Sequence, residues 1–307
     1  VGAPSTRSQS TADSFAPLGT VDVDGIKEAV VGPDETTVYA AATDGFATID
    51  VSDPANPTVL ADRRQLLADR ASGPLSQIYD VKVDDDRLAV VGPANPKQNA
   101  VNAAVFYDVS DPADPQQVGV HETDYPIHNC DFVDGVAYLS ANRRQRNGLT
   151  LVAVGDDPTQ VGSWSLFDQS KRWGDVWSGL WPVHDVFVQD DRAYLAHWDA
   201  GTWILDVSDP SSPSLLSQVR GRSADALAAT SPRQSGLEAL QPPGNDHYVA
   251  VDEDASVLGI GIESWDARRG DGRGGPGGIE LWDVSDPTAP SHLATIAPPP
   301  SSDPRYR

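Results

Sequence analysis

The sequence predicts an all-β protein folded as a β-propeller, a ring of four-stranded antiparallel sheets called blades. Three observations predict it: a nine-residue motif occurs four times, a short hairpin with an acidic or glycine turn precedes it, and such units follow one another along the chain. Four-stranded units of about 40 to 50 residues in series are typical of propellers. A duplicated β-sandwich is the alternative, but the serial order of the units favours the propeller.

The repeated motif contains Asp-Val-Ser-Asp-Pro-x-x-Pro and lies between two apolar runs. Asp-Pro favours a tight turn because Asp hydrogen-bonds the backbone two residues on and Pro fixes φ. The second Pro donates no backbone hydrogen bond, so it suits the start of an edge strand. A degraded copy with Asp157-Pro158 divides the 98-residue interval between the second and third copies into two units. The four full copies occupy residues 49–57, 107–115, 205–213 and 282–290.

Upstream of each turn lies a predicted hairpin, in which alternating apolar residues flank acidic or glycine residues. Each unit therefore supplies an inner strand, a second strand, a third strand that ends at the turn, and an outer strand. The hairpins occupy residues 29–41, 79–91, 130–140, 184–196 and 248–260.

Residues 17–23 resemble an outer strand that has no turn before it. The chain then holds six outer strands but five sets of the other three, which indicates a processed or partial chain of a six-bladed propeller. The alternative is a five-bladed ring with this orphan strand on its edge. No methionine occurs anywhere, including position 1, so we expect that the sequence does not begin at a translational start.

The apolar run before each turn, such as Phe46-Ala-Thr-Ile-Asp50 or Trp203-Ile-Leu-Asp206, together with the four turn motifs, resembles the LVIVD-repeat family. The resemblance covers roughly residues 15–297, which we predict to be one propeller domain. It implies an exported or cell-surface prokaryotic protein and no established activity. Residues 1–14 are predicted to be a polar, disordered N-terminal segment, and residues 298–307 a proline-rich tail.

The charge is strongly acidic: 45 Asp and Glu face 22 Lys and Arg, giving a net charge of −23, and only four of the basic residues are Lys. Such a composition resembles that of haloarchaeal proteins and predicts a high-salt environment. Together with what the family resemblance implies, it leads us to expect an extracellular or cell-surface protein in high salt. The two Asp residues of each motif copy explain part of the excess. A nucleic-acid partner would require a basic stripe, so none is expected.

Neither a disulfide nor a membrane span is expected. The one cysteine, Cys130, aligns with Val81, Val186 and Val249, so it is predicted to be a small buried apolar residue. No apolar run approaches the roughly 20 residues needed to cross a bilayer.

Loops of a propeller alternate between two faces. The hairpin turns and the Asp-Pro turns share one face, and they are short and similar in every blade. The long insertions all fall on the other face. Long loops on a regular scaffold commonly carry function, so we predict that ligands bind on this variable loop face.

Three histidines, His128, His184 and His247, begin inner strands at equivalent positions, where the fourth blade has Tyr79. Propeller symmetry predicts a ring around the axial channel, and three imidazoles suit zinc, copper or iron. His197 and Glu263 are candidate additional ligands. The alternative is that these histidines lock their blades through hydrogen bonds.

Aromatic and basic residues on the same face are candidate ligand contacts. Trp side chains hold sugars and flat or cationic ligands, but they also fill the spaces between blades. Arg143 and Arg144 lie in an exposed basic loop that could bind an anion. The Trp candidates are Trp173, Trp177 and Trp181 in one insertion, and Trp198 and Trp265 in neighbouring blades.

Three functions remain open from the sequence. The first is a non-catalytic binding scaffold that holds a protein, a glycan or a small ligand on the variable loop face. The second is a metal-dependent enzyme that uses the histidines as ligands. The third is a structural subunit of a surface filament or layer, which self-associates through an open blade edge.

Overall fold

A computed structural model describes residues 16–143, 146–230, 244–264 and 277–297. In these segments the chain forms five four-stranded antiparallel sheets, each built from four consecutive strands. The predicted propeller with five recognisable blades is therefore confirmed, and the sheets are numbered blades 1 to 5 in chain order. No helix in the described segments is long and apolar enough to cross a membrane.

The strands of each blade run from the inner to the outer edge in chain order. Blade 1 comprises β1 (Ile26–Val31), β2 (Thr37–Ala42), β3 (Gly45–Asp50) and β4 (Thr58–Arg64). Blade 2 comprises β5 (Asp80–Asp84), β6 (Arg87–Gly92), β7 (Asn102–Asp108) and β8 (Gln116–Thr123). Blade 3 comprises β9 (Ile127–Val133), β10 (Val136–Ala141), β11 (Gly148–Ala153) and β12 (Thr159–Ser165). Blade 4 comprises β13 (Asp185–Gln189), β14 (Arg192–Ala196), β15 (Thr202–Asp206) and β16 (Ser214–Gln218). Blade 5 comprises β17 (Asn245–Val251), β18 (Val257–Glu263), β19 (Ile279–Asp283) and β20 (Ser291–Ile296).

Short helices lie in the loops between blades. Helix α1 (Leu166–Gln169) and two 3-10 turns (Lys171–Asp175 and Ser178–Leu180) form the crossing from blade 3 to blade 4. Helix α2 (Ala224–Ala228) lies in the crossing from blade 4 to blade 5.

The hydrophobic core lies between neighbouring blades. Side chains along a strand alternate between the two faces of its sheet, so Val90 of β6 packs towards blade 1, and Val91 packs towards blade 3. Both valines are fully buried. The middle strands are apolar on both faces for this reason.

The Asp-Pro turns have the predicted hydrogen bonds. In the first copy Asp50 Oδ1 accepts the backbone N–H of Ser52 at 2.8 Å, and Asp53 Oδ1 accepts that of Ala55 at 3.1 Å. The other three copies repeat both bonds. Each turn therefore satisfies these two backbone N–H groups with its own Asp side chains.

Buried carboxylates of inner strands connect each blade to the next. Each accepts a backbone N–H from the following inner strand, which gives a buried polar group a hydrogen-bond partner. Cys130, which is fully buried as predicted, contributes one of these N–H groups. The three bonds run from Cys130 N to Asp80 Oδ2 (2.7 Å), from Val188 N to Asp131 Oδ2 (2.6 Å) and from Val249 N to Asp185 Oδ2 (2.9 Å).

Third or outer strands carry a small residue where they pass the Asp-Pro turn of the next blade. Thr48 of β3 donates to the carbonyl oxygen of Pro112 at 2.5 Å, and Ser217 of β16 donates to that of Pro287 at 2.6 Å. A Cβ on Gly162 of β12 would overlap the carbonyl oxygen of Pro210. The close approach of strand and turn therefore requires a small side chain.

Replacing Gly162 with Ala is expected to destabilise the fold by about 1 to 3 kcal/mol, because the added methyl group forces blades 3 and 4 apart. Gly155→Ala is the matched control, because a Cβ there meets nothing within 4 Å. Urea unfolding of both variants measures the difference. Equal midpoints for the two variants would show that the approach to Pro210 tolerates a side chain.

Blades 5 and 1 differ from the other neighbouring blades in how their inner strands pack. Inner strands pack on one another from blade 1 through blade 5 in sequence, but no comparable packing joins blade 5 to blade 1 among the described residues. Residues 16–23 form no strand, so the outer-strand pairing expected for residues 17–23 is absent. They nevertheless lie on the turn of blade 1: a Cβ on Gly19 would be 2.5 Å from the carbonyl oxygen of Pro54.

Candidate functional site

The predicted convergence of inner-strand side chains occurs at the mouth of the axial channel. Tyr79, His128, His184 and His247 form a continuous row of rings, one from each of four consecutive blades. Ring centroids are 6.2 Å apart for Tyr79 and His128, 4.2 Å for His128 and His184, and 3.7 Å for His184 and His247. The equivalent residue of blade 1, Lys27, lies with its Nζ 5.3 Å from the centre of the Tyr79 ring.

Hydrogen bonds to carbonyl oxygens define the tautomers of two of these histidines. His128 Nδ1 is 2.9 Å from the carbonyl oxygen of Ala94, and His184 Nδ1 is 2.9 Å from that of His247. A carbonyl oxygen only accepts, so each Nδ1 carries the proton. In the neutral ring Nε2 is then a hydrogen-bond acceptor.

Burial keeps these rings neutral. Loss of hydration, reinforced by the neighbouring His128 and His247, lowers the pKa of His184 to about 2. Burial likewise lowers the pKa of His128. The pKa of His247 is also lowered by burial, although Glu263, whose Oε2 is 3.5 Å from His247 Nε2, opposes the shift. The row therefore presents uncharged acceptors at neutral pH.

The histidine rings lie close together with tilted planes. The angle between planes is 53° for His128 and His184 and 32° for His184 and His247. Over residues 16–143, 146–230, 244–264 and 277–297, no three His, Cys, Asp or Glu side chains are placed to hold a metal ion. His197 lies apart from the row: it is fully buried, and its Nδ1 is 3.1 Å from the carbonyl oxygen of Trp181.

A cavity of about 600 Å³ opens above the row of rings on the variable loop face. Its walls come from the loops between second and third strands and from the crossing between blades 3 and 4. The lining is mostly apolar, with polar groups at a few points, as is usual for ligand pockets. It comprises four rings (Tyr79, His128, His184, Trp198), three prolines (Pro96, Pro126, Pro182), three asparagines (Asn95, Asn142, Asn147), Ala94, Ser178, Gly179, Val183 and Glu263.

Trp198 has an unusual conformation in this wall. Its φ of 44° lies in the left-handed region, which bulky residues rarely adopt and which costs free energy. Its indole ring lies nearly parallel to His184, with centroids 6.3 Å apart and 19° between the planes. The indole Nε1–H is buried and has no hydrogen-bond partner. A strained residue with an unused donor in a cavity wall is a feature of binding sites.

Two asparagines that the sequence analysis did not single out position the Trp-rich insertion. Asn142 donates from Nδ2 to the carbonyl oxygen of Val183 at 3.0 Å and accepts the Val183 N–H at 2.9 Å. Asn147, which is buried, donates to the carbonyl oxygens of Ser178 and Trp181 at 3.0 and 3.2 Å. In the sequence, these asparagines could be recognised only by their position in the loop between β10 and β11, which faces the insertion.

The structure separates the Trp candidates. Trp173 and Trp181 are 4% and 0% exposed and belong to the core between blades 3 and 4, because the insertion folds back over the ring. Trp177 is 50% exposed and lies against Gly179, a residue of the cavity wall. Trp198 lines the cavity, whereas Trp265 lies outside the described residues.

Arg143 of the basic loop lies outside the cavity lining and contacts two neighbouring side chains. The guanidinium of Arg143 lies 4.1 Å from the ring centre of Tyr125, and its Nε is 3.6 Å from Asp124. Arg143 is not among the residues that line the 600 Å³ cavity. Arg144 lies outside the described residues.

A second cavity of about 350 Å³ lies below the row, towards the axis. It shares Tyr79, His128 and His184 with the upper cavity and adds polar residues such as Lys27 and Glu28. These three rings therefore border both cavities.

Two segments, residues 38–61 and 182–220, match the model of the LVIVD repeat. The first covers β2 to β4, and the second covers blade 4 with its Asp-Pro turn. The chain is thus a β-propeller in which two segments are similar to the LVIVD repeat. No curated protein matches its sequence.

Solved structures with a similar fold share little sequence with the chain. A functionally unknown protein from Desulfotomaculum acetoxidans superposes with a TM-score of 0.62 at 12% identity, over 95% of this chain and 77% of that one. The β-propeller domain of Myceliophteria thermophila Cps50 (Swd1) gives 0.60 at 9% identity, over 92% and 74%. The computationally designed Ika8 protein gives 0.52 at 11% identity, over 88% of this chain and 61% of that chain. The chain therefore spans less than two thirds of the designed protein, and these likenesses show the fold alone.

Proposed function

We propose that this LVIVD-repeat β-propeller binds a small, flat, uncharged molecule in the cavity of its variable loop face. The observation that supports it most strongly is Trp198, which holds a left-handed backbone conformation in the cavity wall while its indole N–H is buried and unpartnered. A buried donor without a partner costs about 1 to 3 kcal/mol, which a ligand acceptor would recover once the indole turns to bring Nε1 to the cavity surface.

The shape of the ligand follows from the rings. Trp198 and His184 lie nearly parallel, and prolines form much of the remaining wall. A flat aromatic or heteroaromatic ring system would bury its faces against these surfaces. The edge of the ligand must carry a hydrogen-bond acceptor for the indole N–H of Trp198 and a hydrogen-bond donor for a histidine Nε2.

The charge of the ligand follows from the histidines and Glu263. Because burial lowers the pKa values of His128 and His184, neither supplies a positive charge at neutral pH. Glu263 is the one carboxylate in the described lining and would repel an anion. Burying an unpaired carboxylate is costly, so a neutral ligand is favoured over an anionic one.

The probe pair 2-naphthamide and 2-naphthoate tests this proposal, because the two molecules share one shape and differ in charge. The amide should bind with a Kd of about 1 mM or tighter, as expected for a ligand of this size. The acid should bind at least about tenfold more weakly. Ligand-observed NMR titration measures both.

Two matched variants locate the binding. Trp198→Phe keeps a ring but loses the indole N–H, so the affinity for the amide should fall about fivefold, equivalent to one hydrogen bond. Trp177→Phe makes the same change outside the cavity lining and should leave the affinity unchanged. Equal binding of amide and acid, or no response to Trp198→Phe, would contradict the proposal.

The acidic composition supports a place of action at high salt, and the likeness to LVIVD repeats supports one outside the cell. The chain has 45 acidic residues against 22 basic ones, and only four of the basic residues are Lys. Its carboxylates keep the surface hydrated, and salt screens their mutual repulsion. We therefore propose an exported or surface-bound receptor, whose binding of 2-naphthamide should persist in molar salt because the ligand is neutral.

A further inference from the structure

We propose that Asp246, a buried carboxylate that does not line the cavity, is the positioning residue of the ligand site. It fixes the dipeptide Asp246-His247, to which both nearly parallel rings of the site, Trp198 and His184, are tied. The inference rests on the proposed function, and its experiment includes a measurement that needs no ligand.

The dipeptide Asp246-His247 contacts both rings through its backbone. The N–H of Asp246 donates to the carbonyl oxygen of Trp198 at 3.3 Å, and the two residues form an isolated β-bridge. The carbonyl oxygen of His247 accepts the Nδ1–H of His184 at 2.9 Å. The planes of the two rings differ by 19°. Their alignment therefore depends on the position of this one dipeptide.

A β-bulge lies at this dipeptide. Asp246 and Tyr248 of β17 pair with two consecutive residues of β18, so His247 between them is the extra residue of the bulge. A bulge re-aims a side chain and interrupts the hydrogen-bond ladder of its sheet. Because the ladder is interrupted here, the position of the dipeptide depends on contacts outside blade 5.

Those contacts come from blade 4. The carboxylate of Asp246, a residue that is 1% exposed, accepts the hydroxyl of Thr202 at 2.6 Å and lies 3.0 Å from Arg220 Nη1. Thr202 begins β15, and Arg220 follows the end of β16. Burial raises the pKa of Asp246 to about 6, and Arg220 opposes the rise, so the charged form predominates at neutral pH.

Arg220 also contacts the loop of Trp198. A Cβ on Gly201, three residues after Trp198, would be 1.6 Å from the carbonyl oxygen of Arg220, so the two backbones touch. The ion pair therefore connects the loop of Trp198 with the dipeptide that holds its carbonyl oxygen. A buried ion pair contributes little net stability, and its best-attested use is to specify one conformation.

Asp246→Asn tests this role, because it keeps the shape and the acceptor for Thr202 but removes the charge that faces Arg220. In a chain labelled with fluorotryptophan, the fluorine NMR resonance of Trp198, assigned through Trp198→Phe, should shift in the variant without any ligand. The affinity for 2-naphthamide should also fall at least about tenfold, because the indole N–H and the ring faces are displaced together.

Asp131→Asn is the matched control. Asp131 is also buried, burial likewise raises its pKa to about 6, and it connects blades 3 and 4 through the N–H of Val188. This variant should lower the free energy of unfolding but leave the Trp198 resonance and the affinity for 2-naphthamide unchanged.

If Asp246→Asn fails to fold, Asp246→Asn combined with Arg220→Gln removes both charges of the pair together and should shift the same resonance. An unmoved Trp198 resonance in either folded variant would overturn the inference, and so would an equal shift in Asp131→Asn. A wild type that does not bind 2-naphthamide would contradict the proposed function, and the ligand-free resonance would then still decide the role of Asp246.

Discussion

Trp181→Ala is expected to lower the free energy of unfolding by about 3 to 5 kcal/mol, the cost of removing a fully buried aromatic side chain. Trp181 is 0% exposed, its ring centroid is 5.3 Å from that of Trp173, and it stacks on His197 at 6.4 Å. The cavity left behind lies between blades 3 and 4, where the backbone is fixed by two sheets.

Trp177→Ala is the matched control, because this Trp lies four residues earlier in the same insertion and is 50% exposed. It should change the stability by less than about 0.5 kcal/mol, as surface substitutions do. Urea unfolding followed by circular dichroism measures both variants. Similar losses for the two would mean that the insertion does not fold back into the core.

In the wild type, Asp185 is expected to make the free energy of unfolding fall as the pH rises, and Asp185→Asn should abolish this contribution. Burial raises the pKa of Asp185 to about 8, so between about pH 4 and 8 the folded state holds a proton that the unfolded state has lost. Since stability falls with pH wherever the folded state binds more protons, the native chain loses up to about 1.4 kcal/mol per pH unit from this group in that window.

The difference between the wild type and Asp185→Asn should therefore shrink by a few kcal/mol from pH 5 to pH 8. Subtraction of the two chains cancels the contributions of the histidines and of the other carboxyl groups. Asp156→Asn, at an exposed loop position, is the control and should run parallel to the wild type. Parallel curves for Asp185→Asn would show that this carboxyl group ionises normally in the fold.

Much of the fold could be predicted because its signals are local. The Asp-Pro turns, the acidic hairpins and the apolar character of Cys130 each depend on residues that are adjacent in sequence or equivalent between blades. The convergence of His128, His184 and His247 could also be predicted, because equivalent positions in a ring must meet at its axis.

The remaining features of the site could not be predicted, because they depend on packing between residues that are distant in sequence. Nothing in the spacing of Trp173, Trp177 and Trp181 separates the two core residues from the exposed one, because the insertion follows no strand period. The orientations of His128 and His184 depend on carbonyl oxygens of Ala94 and His247, which any residue supplies. The left-handed conformation of Trp198 arises from its tight loop, in which Gly201 donates its N–H to the carbonyl oxygen of Trp198 at 2.9 Å.

The self-contained Asp-Pro turns have a practical consequence for handling the molecule. Because Asp209 satisfies the backbone N–H of Ser211 within the motif, the exposed Ser212 beside it can carry a chemical tether without loss of an interaction between blades. A sensor surface coated through that position would hold every molecule in one orientation, with the mouth of the channel open to the flowing sample.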